Sequence, residues 1–227
     1  PFILANFNGT SGDVDVVTHE AGHALNAYLI ANNRFALELG CGGMETAETH
    51  SMSMEFFAWP YLDAFFPQAG DAQRYRFQHA LDALSFLPYG TMVDEFQHRI
   101  YAEPDLTPAG RNAVWLELET KYRPYIDQRG IPYLERGTRW QYQMHIYETP
   151  FYYIDYCLAQ TAAFQFLLAS QDDYADAFAR YLHLSEQGGE KLWTDLLTEA
   201  GFRSPFAPGA LAQLAAQVEP LIRRQNI

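Results

Sequence analysis

The chain has 227 residues, nearly half of them apolar, enough for one large domain or two small ones with a real core. Its formal charge of −13 reflects 28 acidic against 15 scattered basic residues. Phosphate binding needs clustered Lys and Arg, so this balance argues against a nucleic-acid partner, and the acidity itself is explained by solubility. Two cysteines without a CxxC spacing, Cys41 and Cys157, exclude a disulfide framework, read as inert thiols and fit a reducing cytoplasm.

In chain order, Pro1 to Phe7 reads as a short strand entered in mid-domain. With no initiator Met and no signal peptide, the chain is expected to be a fragment or a processed product. Asn8 to Gly12 is a loop signal, with Thr10 or Ser11 available as N-cap and Asp13 and Asp15 in the first turn, where carboxylates suit the helix dipole. Val14, Val16, Val17, Ala21, Ala24 and Leu25 then predict a helix buried nearly all round. It carries His19-Glu20-Ala21-Gly22-His23. Residues four apart on a helix are separated by about 40° around its axis, so His19 and His23 share a face and can grip one cation. Glu20 sits about 100° away, too far round to be a ligand beside them. From there it can reach a water on the cation's open side, where a general base for hydrolysis belongs.

A hydrolytic zinc site usually takes three protein ligands and keeps one position for water, so a third is needed. After the turn-rich Gly40-Cys41-Gly42-Gly43, the segment from Met44 to Phe56 permits a second helix. On it Glu48 is a candidate ligand. Glu55, two turns further on the same face, is a candidate acceptor for a ligand imidazole N–H. Glu45 and His50 compete for these roles.

Helical periodicity continues almost everywhere beyond. Phe77, Leu81, Leu84 and Leu87 form a stripe that Pro88-Tyr89-Gly90 should break or kink before Val93, Phe96 and Ile100 resume it. Thr107-Pro108 gives an N-cap with Pro at N1, opening a helix with Val114, Leu118 and Tyr122 on one side. Gly130 to Gly137 reads as loop. A long helix is expected from about Pro150 to Ser170, its apolar run interrupted by Asp155, Gln160 and Gln165, which marks a buried helix and no membrane span. Ser170 is placed to cap the next helix, with Tyr174, Phe178 and Tyr181. Gly188-Gly189 separates it from Leu192, Leu196 and Leu197, and Leu211, Leu214, Val218 and Leu221 mark a last helix. No repeat, low-complexity tract or linker divides the chain, so residues 1–227 read as one domain.

The stretch from His145 to Tyr156 is the second place where chemistry can live. In peptide hydrolysis the attacked carbonyl oxygen becomes an oxyanion, and neutral donors such as a phenol or an imidazole lower the barrier. Tyr153 and Tyr156 are three apart on the expected helix, hence neighbours, with His145 on the loop leading in.

His19 through His23, with Glu48 twenty-five residues after His23 and Glu55 seven further on, resemble the thimet oligopeptidase and oligoendopeptidase F family of zinc metallopeptidases. Phe7 to Asp15 and His50-Ser51-Met52-Ser53-Met54-Glu55 are similar to the oligoendopeptidase F branch, and the likeness runs from residue 1 to about residue 170. The resemblance implies a mainly α, multi-helix zincin-type catalytic domain with a short N-terminal strand, a motif helix and a glutamate-ligand helix. It implies one Zn²⁺ per chain on His19, His23 and Glu48, with Glu55 behind them and Glu20 as base. His145, Tyr153 and Tyr156 would supply the oxyanion donors, with Tyr152 able to take the place of Tyr153 and Tyr147 the nearest match to a further family tyrosine. Substrates would be short oligopeptides, with no nucleic acid or membrane involved. Family members are longer, and their helical N-terminal half, absent here, would complete a substrate channel.

Two rivals remain at this stage. Glu20-x-x-His23 and Glu95-x-x-His98 are both pairs of the kind that di-iron carboxylate bundles use, although no glutamate helix precedes Glu20. A catalytically incompetent fragment or scaffold of the same fold is the other.

Overall fold

The computed structural model describes residues 1–33, 40 and 42–225. Cys41 lies outside them. Among the described residues there are nine α-helices and no strand: α1 (Gly12–Asn33), α2 (Met44–Phe57), α3 (Asp71–Ala102), α4 (Pro108–Tyr122), α5 (His145–Glu148), α6 (Tyr153–Asp172), α7 (Tyr174–Glu186), α8 (Trp193–Glu199) and α9 (Ala210–Gln225). The mainly α expectation therefore holds, and the short N-terminal strand is corrected. Residues 1–8 pair with no described strand, and Phe2 and Leu4 are exposed. A ladder needs a partner, which local hydrophobicity does not supply. No described helix is long and apolar enough to cross a membrane.

The chain divides into two compact units, one of residues 1–82 and 158–227, the other of residues 83–157. The first is organised around Phe57 on α2, whose ring meets Phe166 of α6 and Tyr174, Phe178 and Tyr181 of α7 at centroid separations of 5.1 to 5.8 Å. Leu184 and, from α8, Leu196 close this core. The second unit packs Met92, Val93 and Phe96 of α3 against Val114, Trp115 and Leu118 of α4, with Trp140 and Ile146 sealing the cluster.

Local sequence explains several boundaries. Thr107 caps α4 as expected, its Oγ1 accepting from Gly110 N at 3.1 Å with Pro108 in the first turn. Asp173, not Ser170, caps α7, accepting from Asp176 N at 3.0 Å, because α6 runs on to Asp172. Pro88 does not break α3, which continues through it to Ala102. Proline removes one N–H from the ladder and is tolerated when packing holds the turns on either side; Met92, Val93 and Phe96 are fully buried just beyond. Ahead of α1 the loop is closed by Asp13, whose carboxylate accepts from Asn8 N and Gly9 N at 3.1 and 2.6 Å. Thr10 Oγ1 donates to Asn8 Oδ1 instead of capping the helix. Nor is α1 buried all round. Its buried residues are Val14, Thr18, Gly22 and Ile30, while Val16 is exposed.

Candidate functional site

The metal-ligand geometry begins with Gly22. A Cβ at this position would stand 2.5 Å from the His50 carbonyl oxygen and 2.7 Å from Ser51 Cα, so only glycine lets the main chain of α1 come this close to α2. The C-terminal helices of the same unit hold α2 in place. Tyr181 donates to the His50 carbonyl at 2.9 Å, and Trp193 Nε1 donates to Thr49 Oγ1 at 2.9 Å. Asn26 of α1 is tied to the same support, donating to the Ser185 carbonyl at 2.8 Å.

This close approach brings His19, His23 and Glu48 together. Glu48 Oε2 lies 3.3 Å from His19 Nε2 and 3.5 Å from His23 Nε2, and one ligand atom from each residue falls within 4.8 Å of the others. Among the described residues no other three of His, Cys, Asp or Glu converge in this way. The two imidazoles stand edge to face with centroids 5.0 Å apart. Ser51 Oγ donates to Glu48 Oε2 at 2.9 Å, fixing the buried carboxylate.

Behind His19 runs a chain of hydrogen bonds. His19 Nδ1 is 2.7 Å from Glu55 Oε1, His79 Nε2 is 2.7 Å from Glu55 Oε2, and Trp59 Nε1 donates to His79 Nδ1 at 3.0 Å. An indole N–H can only donate, so His79 Nδ1 accepts and its proton sits on Nε2, pointing at Glu55. The ionised Glu55 accepts from both rings. His19 therefore donates its Nδ1 proton to Glu55 and turns Nε2 toward Glu48, where a proton or a metal ion can sit; ligating histidines are backed by carboxylates in this way. The Tyr75 ring stacks on His79 at 5.5 Å, and its hydroxyl donates to Asp15 Oδ1.

The charges follow from this arrangement. Burial works against ionising Glu55, but hydrogen bonds from His19 and His79 prevail and hold its carboxyl below the usual range. Burial also works against a charge on His19, yet Glu48 and Glu55 outweigh it and push its pKa up to about 10. Two carboxylates around these imidazoles favour a cation. Two nitrogens and one carboxylate oxygen form a donor set that suits zinc.

The competing residues fall outside this set. His50 is buried with neither ring nitrogen partnered among the described residues, and burial, reinforced by His23, holds its pKa down to about 3. Glu45 stays in the first turn of α2, apart from the ligand atoms. Glu20 is half-buried on α1 between the two histidines. Of the second Glu-x-x-His pair, Glu95 is bound by Lys121 and Tyr122 and His98 pairs with Asp94, so neither enters a triad that could hold a metal.

In the second unit the structure gathers the other candidates around His145. Its ring lies 4.9 Å from Tyr153, 5.8 Å from Tyr156 and 6.0 Å from Tyr152, and Tyr152 and Tyr156 are 4.9 Å apart. Tyr153 packs on the core side, against Phe86 and Tyr89, and burial raises its phenol pKa. Tyr147 stacks on Trp140 instead. The turn into α6 is strained: Phe151 has φ +65°, held by a 2.8 Å bond from its N–H to the buried Gln97 Oε1.

His79, Trp59 and Gln143, which lies 2.7 Å from His145 Nδ1, escape the sequence reading. His79 lies twenty-four residues after Glu55 on another helix, with no local spacing to tie them. Only the general rule that a ligand-backing carboxylate is itself hydrogen-bonded pointed to a partner.

Two helices present two imidazoles and a carboxylate, with a second carboxylate fixing one ring and a third one residue along, a donor set of the kind that can hold a metal ion. The chain belongs to peptidase family M3, whose family model matches residues 1–216. It is similar to oligopeptidase PepF of Bacillus subtilis (strain 168), 26% identical over 210 residues, covering 88% of this chain and 30% of that protein. Among solved structures it resembles PZ peptidase A with inhibitor 2, at 48% identity and a TM-score of 0.94, covering 100% of this chain and 40% of that one. It also resembles a provisionally named oligoendopeptidase F, at 50% identity and a TM-score of 0.93, covering 98% and 39%. The chain thus spans less than half the length of each of these relatives.

Proposed function

We propose that this chain carries the catalytic centre of a zinc-dependent endopeptidase that hydrolyses peptide bonds in short oligopeptides. The observation that carries the reading is the convergence of His19 Nε2, His23 Nε2 and Glu48 Oε2, with His19 oriented by Glu55. Membership of a peptidase family supports it, as do the oligopeptidase and oligoendopeptidase names of its relatives. When bound, zinc acidifies a water and polarises a carbonyl. His19, His23 and Glu48 would hold it, leaving room for water because they are only three.

The chain's own residues do the proton work. Glu20 takes the proton of the attacking water and passes it to the leaving amine; its place on α1, about 100° round from His19, keeps it out of the ligand set. The oxygen of the attacked carbonyl gains charge as the bond forms, and donors that are neutral before the reaction stabilise it. His145 supplies such a donor, with Tyr153 and Tyr156 as the phenols; Tyr152, whose ring lies 4.9 Å from that of Tyr156, is the alternative to Tyr153.

Glu20→Gln separates binding from chemistry. The variant should hold about one zinc per chain by elemental analysis while cleavage of a quenched-fluorescent peptide falls about 10²- to 10⁴-fold. Full turnover in Glu20→Gln would refute the base assignment, and two irons per chain would favour a di-iron carboxylate bundle.

A further inference from the structure

Phe151 is one of two described residues other than glycine with a positive φ, and a bulky side chain at +65° is strained. Its place in a turn explains the angle. The Thr149 carbonyl accepts from Tyr152 N at 3.2 Å, closing a four-residue turn with Pro150 second and Phe151 third. Proline fixes a negative φ at the second position, so a left-handed third residue makes the turn type II, where glycine is the ordinary occupant. The commoner type I turn differs mainly by a half-rotation of the peptide between Pro150 and Phe151, and phenylalanine would adopt it without strain. Something must hold that peptide over.

Gln97 of α3 does so. Its buried side chain accepts from Phe151 N through Oε1 at 2.8 Å and donates from Nε2 to the Val93 carbonyl, one turn back, at 3.3 Å. Each neighbour is a main-chain group with a single role: a carbonyl can only accept and a peptide N–H can only donate. The two ends of this amide are therefore assigned by chemistry. Rotating the Pro150–Phe151 peptide would aim a carbonyl oxygen at Oε1 and leave buried groups unpaired, and turning the amide over to meet it would set Oε1 against the Val93 carbonyl. The same helix holds the ring, with His98 and Tyr101 each 5.0 Å from Phe151.

The turn runs straight into α6. The Tyr152 carbonyl accepts from Asp155 N at 2.9 Å, and the helix that starts at Tyr153 carries the phenols grouped around His145. We infer that Gln97 is a positioning residue: by holding Phe151 in the left-handed turn it fixes the first turn of α6, and with it the placing of Tyr152, Tyr153 and Tyr156 relative to His145. The inference rests on the reading of His145 and these tyrosines as oxyanion donors. All of these residues belong to the second compact unit.

Gln97→Met keeps the bulk of the side chain and removes the acceptor. The Phe151 amide, slow to exchange with solvent in the wild type, should exchange about tenfold faster in the variant, the scale of one lost hydrogen bond, while the Met92 amide stays protected. At wild-type zinc content, kcat should fall about ten- to a hundredfold, as donors misplaced by about an ångström would cause. A second substitution tests the cause. Glycine takes a positive φ without strain, so Phe151→Gly added to Gln97→Met should restore most of the lost kcat, although it removes a packed ring. A Gln97 that only filled the core would give a double variant worse than the single one. A double variant no better than Gln97→Met, or Gln97→Met with unchanged exchange and kcat, would overturn the inference; so would rapid exchange of the Phe151 amide in the wild type, which is measurable even if a variant folds poorly. Unchanged kcat in His145→Ala would overturn the oxyanion role itself, and with it the catalytic use of the turn; a full loss there beside an inert Gln97→Met would sink only the positioning.

Discussion

In the unit that holds His19, hydrogen bonds run from the Trp59 indole through His79 to Glu55, which also accepts from His19. In the unit that holds His145, the Tyr89 hydroxyl donates to Gln143 Oε1, and the Gln143 amide nitrogen lies 2.7 Å from His145 Nδ1. The first begins at a group with no acceptor, so the direction of its bonds is set; the second begins at a hydroxyl, which can donate or accept. His19 spends its Nδ1–H on Glu55 and turns Nε2 toward Glu48, where a cation can sit; at His145 the choice of nitrogen stays with the amide. The difference lies in the middle member. A carboxylate accepts on both sides, so Glu55 forces His79 and His19 to donate whatever stands further back. An amide is two-faced, so Gln143 can present either end to His145. The first relay is fixed by its centre; the second has no such member.

Substitutions can break this contrast in graded steps. The largest effect is expected from Gly22→Ala, because a methyl group would meet backbone atoms of His50 and Ser51 at 2.5 to 2.7 Å, and neither can rotate away. Forcing α1 and α2 apart should destabilise the fold by about 1–3 kcal/mol, on the scale of overpacked cores, and weaken zinc binding by spreading the ligands. Denaturant titration alongside competition with a chelating dye would measure both, and wild-type stability with wild-type affinity would show that the contact is slack.

Next comes His79→Ala, which removes one of the two donors that hold Glu55 in place. Loss of an outer partner of this kind weakens metal binding by about 10- to 100-fold. At saturating zinc, turnover should change far less. His145→Ala should do the reverse, lowering kcat at unchanged zinc affinity, so the two variants form a crossed pair. Equal effects of both on zinc affinity would mean that the regions are not separable in function.

The smallest expected effect concerns Cys157, buried at the end of the second unit. Burial pushes its thiol up to about 12 from an ordinary 9.0. The folded chain therefore binds this proton more tightly than the unfolded one. Its contribution to stability is whole below about pH 9 and declines as pH rises from there toward 12. At neutral pH a thiol reagent should label Cys157 only at the rate at which the region opens; rapid labelling without denaturant would contradict its burial.

How much could be read from the chain alone depended on how local the cause was. Thr107-Pro108 opened α4 where the capping rule placed it, because cap, proline and first turn are neighbours. His19 and His23 share a face by helical period alone, and Glu48 and Glu55 do so on α2. Pro1 to Phe7 misled because hydrophobic residues state a preference, whereas a strand is a pairing. Pro88 misled in the other direction: the cost of proline in a helix is local, but the packing of Met92, Val93 and Phe96 that outweighs it is not. His79, Tyr89 and Gln143 were out of reach because their partners lie 24, 54 and 2 residues away with no shared period. The direction of a proton emerges only once donors and acceptors are counted around each ring.

The contact at Gly22 has one more consequence. Because main chain meets main chain there, the separation of the two helices that carry the imidazoles and the Glu48 carboxylate is set by backbone contact. Anyone transplanting this centre into a designed scaffold should copy the helix pair with its single missing methyl group before the surrounding apolar residues. A pair of helices held at an ordinary separation would place the same three side chains too far apart to share one ion.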